Sequence, residues 1–450
     1  MGARNMLLQK KKLERYKWYW LARELTWSFQ SLREGLDKHY TKNLCVTLRP
    51  AKPSQGSILL SYFNTFGSDH VPITKFFSQP HVPLPKIHNE WESLQMARTF
   101  LEMGYTVDVI SWTNDRFIPQ KHYEVFIDVR HNMERLAPLL PKDCVKIVHI
   151  DLCHMLYNNW AEAQRLLELQ ARRGVTLRPR RFEQPNLAIE HADCATILGN
   201  EFTMNTFRYA KKNLHCLPVT NAVLYSSPEE KNFEACRKHY LWLGSGGFVR
   251  KGLDLVLDAF SEMPEYNLTV CGPIQQERDF ERTYYKELYE TPNIRTVGWV
   301  DLTSPEFVEI TNNCLGLIYP SCSEGQVGSA ITCLHAGLLP IISYESGLDV
   351  HGFGMILKEG SIAEIRRAVC SVSSLPAEEL KRLACKGWEF ARANHTREKF
   401  SDEYRKVVER IIATHGSGKA STSVTEYGLP VEEDRPAVEV RALSRQSYRS

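Results

Sequence analysis

The groups best suited to chemistry in this chain fall in one stretch, Tyr319-Pro-Ser-Cys-Ser-Glu-Gly-Gln-Val-Gly-Ser-Ala-Ile-Thr-Cys-Leu-His-Ala-Gly-Leu-Leu-Pro-Ile-Ile342. Its pattern predicts strand, glycine-containing loop, short helix, strand. The apolar run Leu315 to Tyr319 suits a buried parallel strand, Ser329 suits a helix cap, and Gly337 suits a left-handed helix end. The N–H groups of Gly328, Ser329 and Ala330 would then point outward from the positive end of the helix dipole. Phosphate oxygens bind such groups without needing a cationic side chain. Glu324, just upstream, would repel a bare phosphate, so its place there fits a ligand that also carries hydroxyls. A nucleotide sugar has both parts.

A second stretch, Leu241-Trp-Leu-Gly-Ser-Gly-Gly-Phe-Val-Arg-Lys-Gly-Leu-Asp-Leu-Val-Leu-Asp-Ala-Phe260, also reads strand, glycine loop, helix. Leu253, Val256, Leu257 and Phe260 recur at helical spacing and give that helix a buried face. Arg250 and Lys251 stand where the helix begins, and Gly246 and Gly247 lie in the loop before them. Cations are disfavoured at the positive end of a helix, so two of them there point to an anion that normally occupies the place. A solvated basic pair is the plainer reading. The preceding Gly244-Ser-Gly-Gly247 favours the anion.

These elements need a scaffold, and 450 residues with 43% hydrophobic and 24% charged content suffice for two soluble domains with separate cores. A formal net charge of +3 does not imply nucleic acid, and no zinc-finger spacing or RNA-binding aromatic signature occurs. Nucleic acid is therefore excluded as an expected partner. The twelve cysteines are scattered singly, which argues for reduced thiols and a cytoplasmic protein. No window reaches the roughly 18 consecutive apolar residues of a spanning helix. Met6-Leu-Leu8 runs at once into Gln9-Lys-Lys-Lys12, unlike a secretory signal.

Residues 1–50 read as a basic, amphipathic helical extension in which Trp18, Leu21, Leu25, Phe29, Leu32 and Leu36 form one stripe. Covering its own domain is the commoner role for such a helix. Lys10, Lys11, Lys12, Arg15 and Lys17 also suit an anionic membrane surface, which would make the protein peripheral to the inner face of a membrane. From residue 57 to 223 strands and helices alternate, as expected of an α/β domain with a largely parallel sheet. A polar connector, Leu224 to Arg237, precedes a second alternation over 238–395. A further helix is expected at 396–413, and the Ser-, Pro- and Glu-rich 416–450 reads as a disordered tail. The fold class is thus α/β, with two doubly wound Rossmann-like domains. Ligands of such sheets bind at the carboxyl ends of the strands, in a cleft between the domains.

With these residues in view, the chain resembles the retaining nucleotide-sugar glycosyltransferases of GT-B architecture, family four or group one, from about Ser57 to Ala413. Lys251-Gly252 with the following apolar helix, Val297-Gly-Trp-Val300 and Ser321 to Pro340 carry the likeness. The resemblance implies that Val300 faces the nucleotide base and that Gly325 belongs to the donor loop. The family pairs two glutamates with seven residues between them. Here the first is Glu324 and the second position is Thr332, so ribose recognition is altered. An arginine often found five residues before the lysine is replaced by Gly246, with Arg250 as candidate substitute. The family also places a functional histidine after a central strand of its first domain. Val145-Lys-Ile-Val-His-Ile-Asp-Leu-Cys-His154 offers His149, Asp151 and His154, with His154 preferred because it lies beyond the strand, and His131 is a weaker candidate.

The function so implied is transfer of a hexosyl group from a nucleotide-sugar donor to a glycan or lipid-linked acceptor, with retention of configuration and neither metal nor cofactor. Lys251, Glu324 and His154 are the expected catalytic residues. Gly246, Gly247, Arg250, Val300, Gly325, Gly328, Ser329, Ala330 and Thr332 are the expected donor-binding set. A lapsed homologue acting as a binding or scaffolding protein, or a sugar-nucleotide epimerase, fits the same framework. A phosphorylase would carry pyridoxal phosphate. A dehydrogenase fits poorly, because Gly244-Ser-Gly-Gly247 lacks the dinucleotide glycine spacing.

Overall fold

The computed structural model describes residues 44–416 except 68 and 80. The expected helical stripe at 18–36 and residues 417–450 of the expected tail lie outside them, while Gly416, expected to open that tail, closes the last helix. The last residues of the expected extension are not helical: Cys45–Leu48 (β1) form an edge strand.

Two parallel sheets organise the chain. In the first lobe the strands are β1, β2 (Ser57–Tyr62), β3 (Thr106–Ser111), β4 (Val125–Asp128), β5 (Val145–Ile150), β6 (Cys194–Leu198) and β7 (Asn213–Leu217), ordered β1-β3-β2-β4-β5-β6-β7. All pairs are parallel except β1 with β3. The central strands are buried on both faces, which is why they read as unbroken apolar runs rather than alternations. In the second lobe β8 (His239–Leu243), β9 (Asn267–Cys271), β10 (Ile294–Gly298), β11 (Gly316–Tyr319), β12 (Leu339–Ser343) and β13 (Met355–Leu357) are ordered β10-β9-β8-β11-β12-β13, all parallel. This is the doubly wound order, with its reversal between β8 and β11. The two stretches singled out for their chemistry follow those two strands. They lie where such sheets hold ligands.

The helices that position the site are α1 (His88–Glu102), α2 (Met155–Arg173), α3 (Leu253–Ser261) and α4 (Gly328–His335). α5 (Ala377–Asn394) packs on the second lobe, and α6 (Arg397–Gly416) returns to the first, where Phe400 meets Trp91 at 5.7 Å. α2 begins at Met155, where the His154 imidazole accepts the Leu156 N–H and caps the helix. Two short helices, Arg278–Thr283 and Tyr285–Tyr289, lie between β9 and β10. Two helix starts differ from expectation. α3 begins at Leu253, so Arg250 and Lys251 occupy the turn before it. α4 is capped at Val327 without a side-chain bond, and Ser329 lies in its first turn rather than at the cap. Gly337 does adopt the left-handed conformation, with φ +70°.

Candidate functional site

Lys251 and Glu324 come from separate loops and meet at the junction of the lobes. Lys251 Nζ lies 2.9 Å from Glu324 Oε1 and donates to Tyr319 Oη at 2.6 Å. Tyr319 and Ser321 hydroxyls donate to the same carboxylate oxygen at 3.0 and 3.2 Å, and Arg250 reaches Oε2 at 3.2 Å. Arg250 also donates to the Ser323 carbonyl. All three charged groups are buried, at 4, 7 and 8% exposure for Arg250, Lys251 and Glu324. Burial opposes the Glu324 charge, but Arg250 and Lys251 outweigh it and hold the carboxyl down to about 2. Burial works the other way on Lys251, lowering it to about 8 although Glu324 pulls it back up. Glu324 is therefore an ionised anchor whose acceptor capacity is largely used within the cluster.

The opening turn of α4 lies beside this cluster. Gly328 and Ser329 keep partial exposure, and the first amides of a helix have no partner within it. Ala330 is fully buried. From the first lobe, the start of α1 comes up against the same turn: a Cβ on Gly328 would lie 3.5 Å from His88 Cε1. Burial lowers the His88 imidazole to about 4 against the pull of Asp151, and Lys251 adds to the lowering, so His88 stays neutral. Asp151 is bound to Arg130 at 2.6 Å, and Arg130 lies 3.1 Å from Glu183. The arrangement offers an anion a buried ammonium, helix-start amides and a neutral imidazole. His88 escaped sequence reasoning, since one histidine at a helix start has no pattern around it.

The other expected residues are placed variously. His154 stays in the first lobe, outside the Lys251–Glu324 cluster. Its Nδ1 is taken by the Leu156 N–H, and its Nε2 lies 3.0 Å from Tyr209 Oη, which donates to Glu190. It lines a small solvent-open hollow of about 50 Å³ with Arg130, Asp151, Glu183, Asn186 and Phe207. His149 is fully buried and bonded to Thr196 at 2.8 Å, and His131 stacks on Trp112. Thr332 is buried and donates to Asn221 Oδ1 at 3.0 Å. Val300 is buried in the core, whereas its neighbour Trp299 is 72% exposed. In the glycine loop the Gly247 and Phe248 amides donate to the buried carboxylate of Glu277, so an internal anion already fills that cradle. Gly325 packs against the Asp151 and Leu198 carbonyls of the first lobe and accepts from Thr203 at 2.7 Å.

No family model matches the chain, and no curated protein does. Solved structures do. Sucrose-phosphate synthase from Thermosynechococcus elongatus superposes with a TM-score of 0.54 at 13% identity, over 80% of this chain and 100% of the other. HepE from Anabaena, solved with UDP and glucose, matches over 79% and 100% at 11% identity and a TM-score of 0.48. Pneumococcal O-GlcNAc transferase GtfA, solved with UDP and GlcNAc, matches over 64% and 57% at 13% identity and a TM-score of 0.42. The first of these likenesses carries the fold, which is the expected GT-B architecture of two Rossmann-like lobes.

Proposed function

We propose that the chain is a glycosyltransferase that moves a sugar from a nucleotide-sugar donor to an acceptor hydroxyl. The observation that carries this reading is the buried Lys251 ammonium, which keeps an N–H beyond those given to Tyr319 and Glu324 and stands beside the opening amides of α4. In the reaction the bond from the anomeric carbon to the diphosphate oxygen breaks, and its electron pair leaves with the diphosphate. Lys251 and the Gly328 and Ser329 amides meet that growing negative charge. Arg250 and Glu324 act one layer back, fixing the ammonium and the loop around it. The acceptor hydroxyl forms the new bond and its proton leaves with the diphosphate. The hollow lined by Arg130, Asp151 and His154 is the place for a glycan or lipid-linked acceptor. The family resemblance supports retention of configuration and independence from metal.

Incubation with a panel of sugar nucleotides, with and without simple glycan acceptors, tests this reading. Acceptor-dependent release of nucleoside diphosphate is expected, unchanged by EDTA. Donor bound but never consumed would instead favour a binding protein. That second reading draws on Thr332 and the Gly247 amide, both already occupied by Asn221 and Glu277. Donor converted to an isomer without acceptor would mark an epimerase.

A further inference from the structure

The first lobe reaches over the second through an arm formed by α2 and the return segment 174–187. α2 is turned against ordinary amphipathic logic: Asn158 and Glu162 are buried at 0 and 1% exposure, while Leu156 and Trp160 are exposed. The buried pair grips the backbone of Arg181. Asn158 Nδ2 donates to the Arg181 carbonyl at 2.7 Å, and the Glu162 carboxylate accepts the Arg181 N–H at 3.0 and 3.2 Å. Asn158 Oδ1 also accepts from Ser323, next to Glu324, at 2.8 Å. Two buried polar side chains thus fix the position of one exposed residue.

The Arg181 side chain lies over the glycine loop of the second lobe. Its Nε donates to the Gly246 carbonyl at 3.3 Å and an Nη to Ser245 Oγ at 3.4 Å. Gly247 makes room for it, since a Cβ there would come within 2.8 Å of Arg181 Cγ. Among the described residues both hydrogen-bond partners of the guanidinium are neutral, and a guanidinium has five N–H groups. Its neighbours on the arm differ: Arg172, Arg173 and Arg180 all meet carboxylates of the second lobe. The Arg181 charge is also felt at the site, because with Arg250 it helps to lower Lys251.

We propose that Arg181 is a ligand-binding cation for the diphosphate group, delivered by the first lobe to the anion site of the second. The inference rests on the reading that Lys251 and α4 hold a nucleoside diphosphate. It ties anion binding to the apposition of the lobes, because the second lobe alone lacks this charge.

The test is calorimetric titration of the full chain with inorganic pyrophosphate, comparing wild type with Arg181→Ala, Arg181→Gln, Lys251→Ala and Arg366→Ala. Arg366 pairs with Glu262 on the surface and serves as the control. Both Arg181 variants should bind pyrophosphate about tenfold or more weakly, with a ligand-free melting temperature equal to wild type and the control unchanged. Full affinity in Arg181→Gln together with lost affinity in Lys251→Ala would overturn the role of Arg181 and leave the site intact. Equal affinity in Lys251→Ala and wild type, or no binding by wild type, would overturn the reading of the site and the inference with it. A lowered melting temperature with undiminished affinity would reduce Arg181 to a strut and overturn the proposal.

Discussion

At the scale of single residues, Lys251 sets the behaviour of the site. Burial, opposed by Glu324, lowers its ammonium to about 8, so the charge that the proposed function sets against a diphosphate is present below that pH and lost above it. Diphosphate affinity should accordingly be level near neutrality and fall as the pH rises through 8. Titration calorimetry across pH 7 to 9.5 checks this, and Lys251→Arg should remove the break, since a guanidinium stays charged throughout. A pH-independent affinity in wild type would separate Lys251 from the anion. That both residues belong to one site was legible in the sequence, because each follows a strand and precedes a helix, but the sequence assigns Lys251 to a phosphate and Glu324 to sugar hydroxyls rather than to each other. His88 and Arg181 were not. Arg181 reaches Gly246 across 65 positions, and no local pattern announces such a contact. Thr332 was read as a weakened ribose contact, but its hydroxyl goes to Asn221, a partner 111 positions away.

At the scale of elements, the loop between β11 and α4 is a wedge inserted against the ends of β5 and β6. Gly325 sits at its tip, where a Cβ would collide with the Asp151 carbonyl and come within 2.9 Å of the Leu198 carbonyl. Both obstacles are backbone and cannot turn aside. Gly325→Ala should therefore destabilise the fold by about 1–3 kcal/mol in denaturant unfolding. Gly328→Ala, whose new Cβ would meet only ordinary contacts, should fall below that range. Equal losses would mean that the wedge is not seated as described. Strand and helix existence was readable from periodicity, since β2 to β12 fall close to where apolar runs place them. The short β13 and the helix Ile362–Ser373 went unread, as did the edge strand β1. The hardest element was α2, with Leu156 at 67% and Trp160 at 60% exposure. Apolar spacing normally marks the inward face, but here that face meets polar loops of another lobe.

At the scale of the whole molecule, alternation alone was enough to count two lobes, yet nothing in it told how they are joined. Beside the apolar packing of α6 on α1, the arm joins them by charge. Arg172 lies 2.5 Å from Asp254, and Arg173 lies 2.9 Å from Glu287 and also pairs with Asp258. Cys153 reports on it, being 3% exposed with its Sγ 2.8 Å from Ser323 Oγ across the junction. The double variant Arg172→Ala, Arg173→Ala should loosen the arm, so that maleimide labels Cys153 severalfold faster, as followed by peptide mass spectrometry. Labelling at the wild-type rate would show that the arm does not hold the lobes together. The chemical make-up of this seam also bears on turnover. Hydrogen-bonding and charged groups that separate are at once rehydrated, whereas parted hydrocarbon surfaces are not. On the proposed function, spent nucleotide would escape through a brief wetting of the contact along α2, and the directional bond from the Ser323 hydroxyl to Asn158 would guide the same fit on each return.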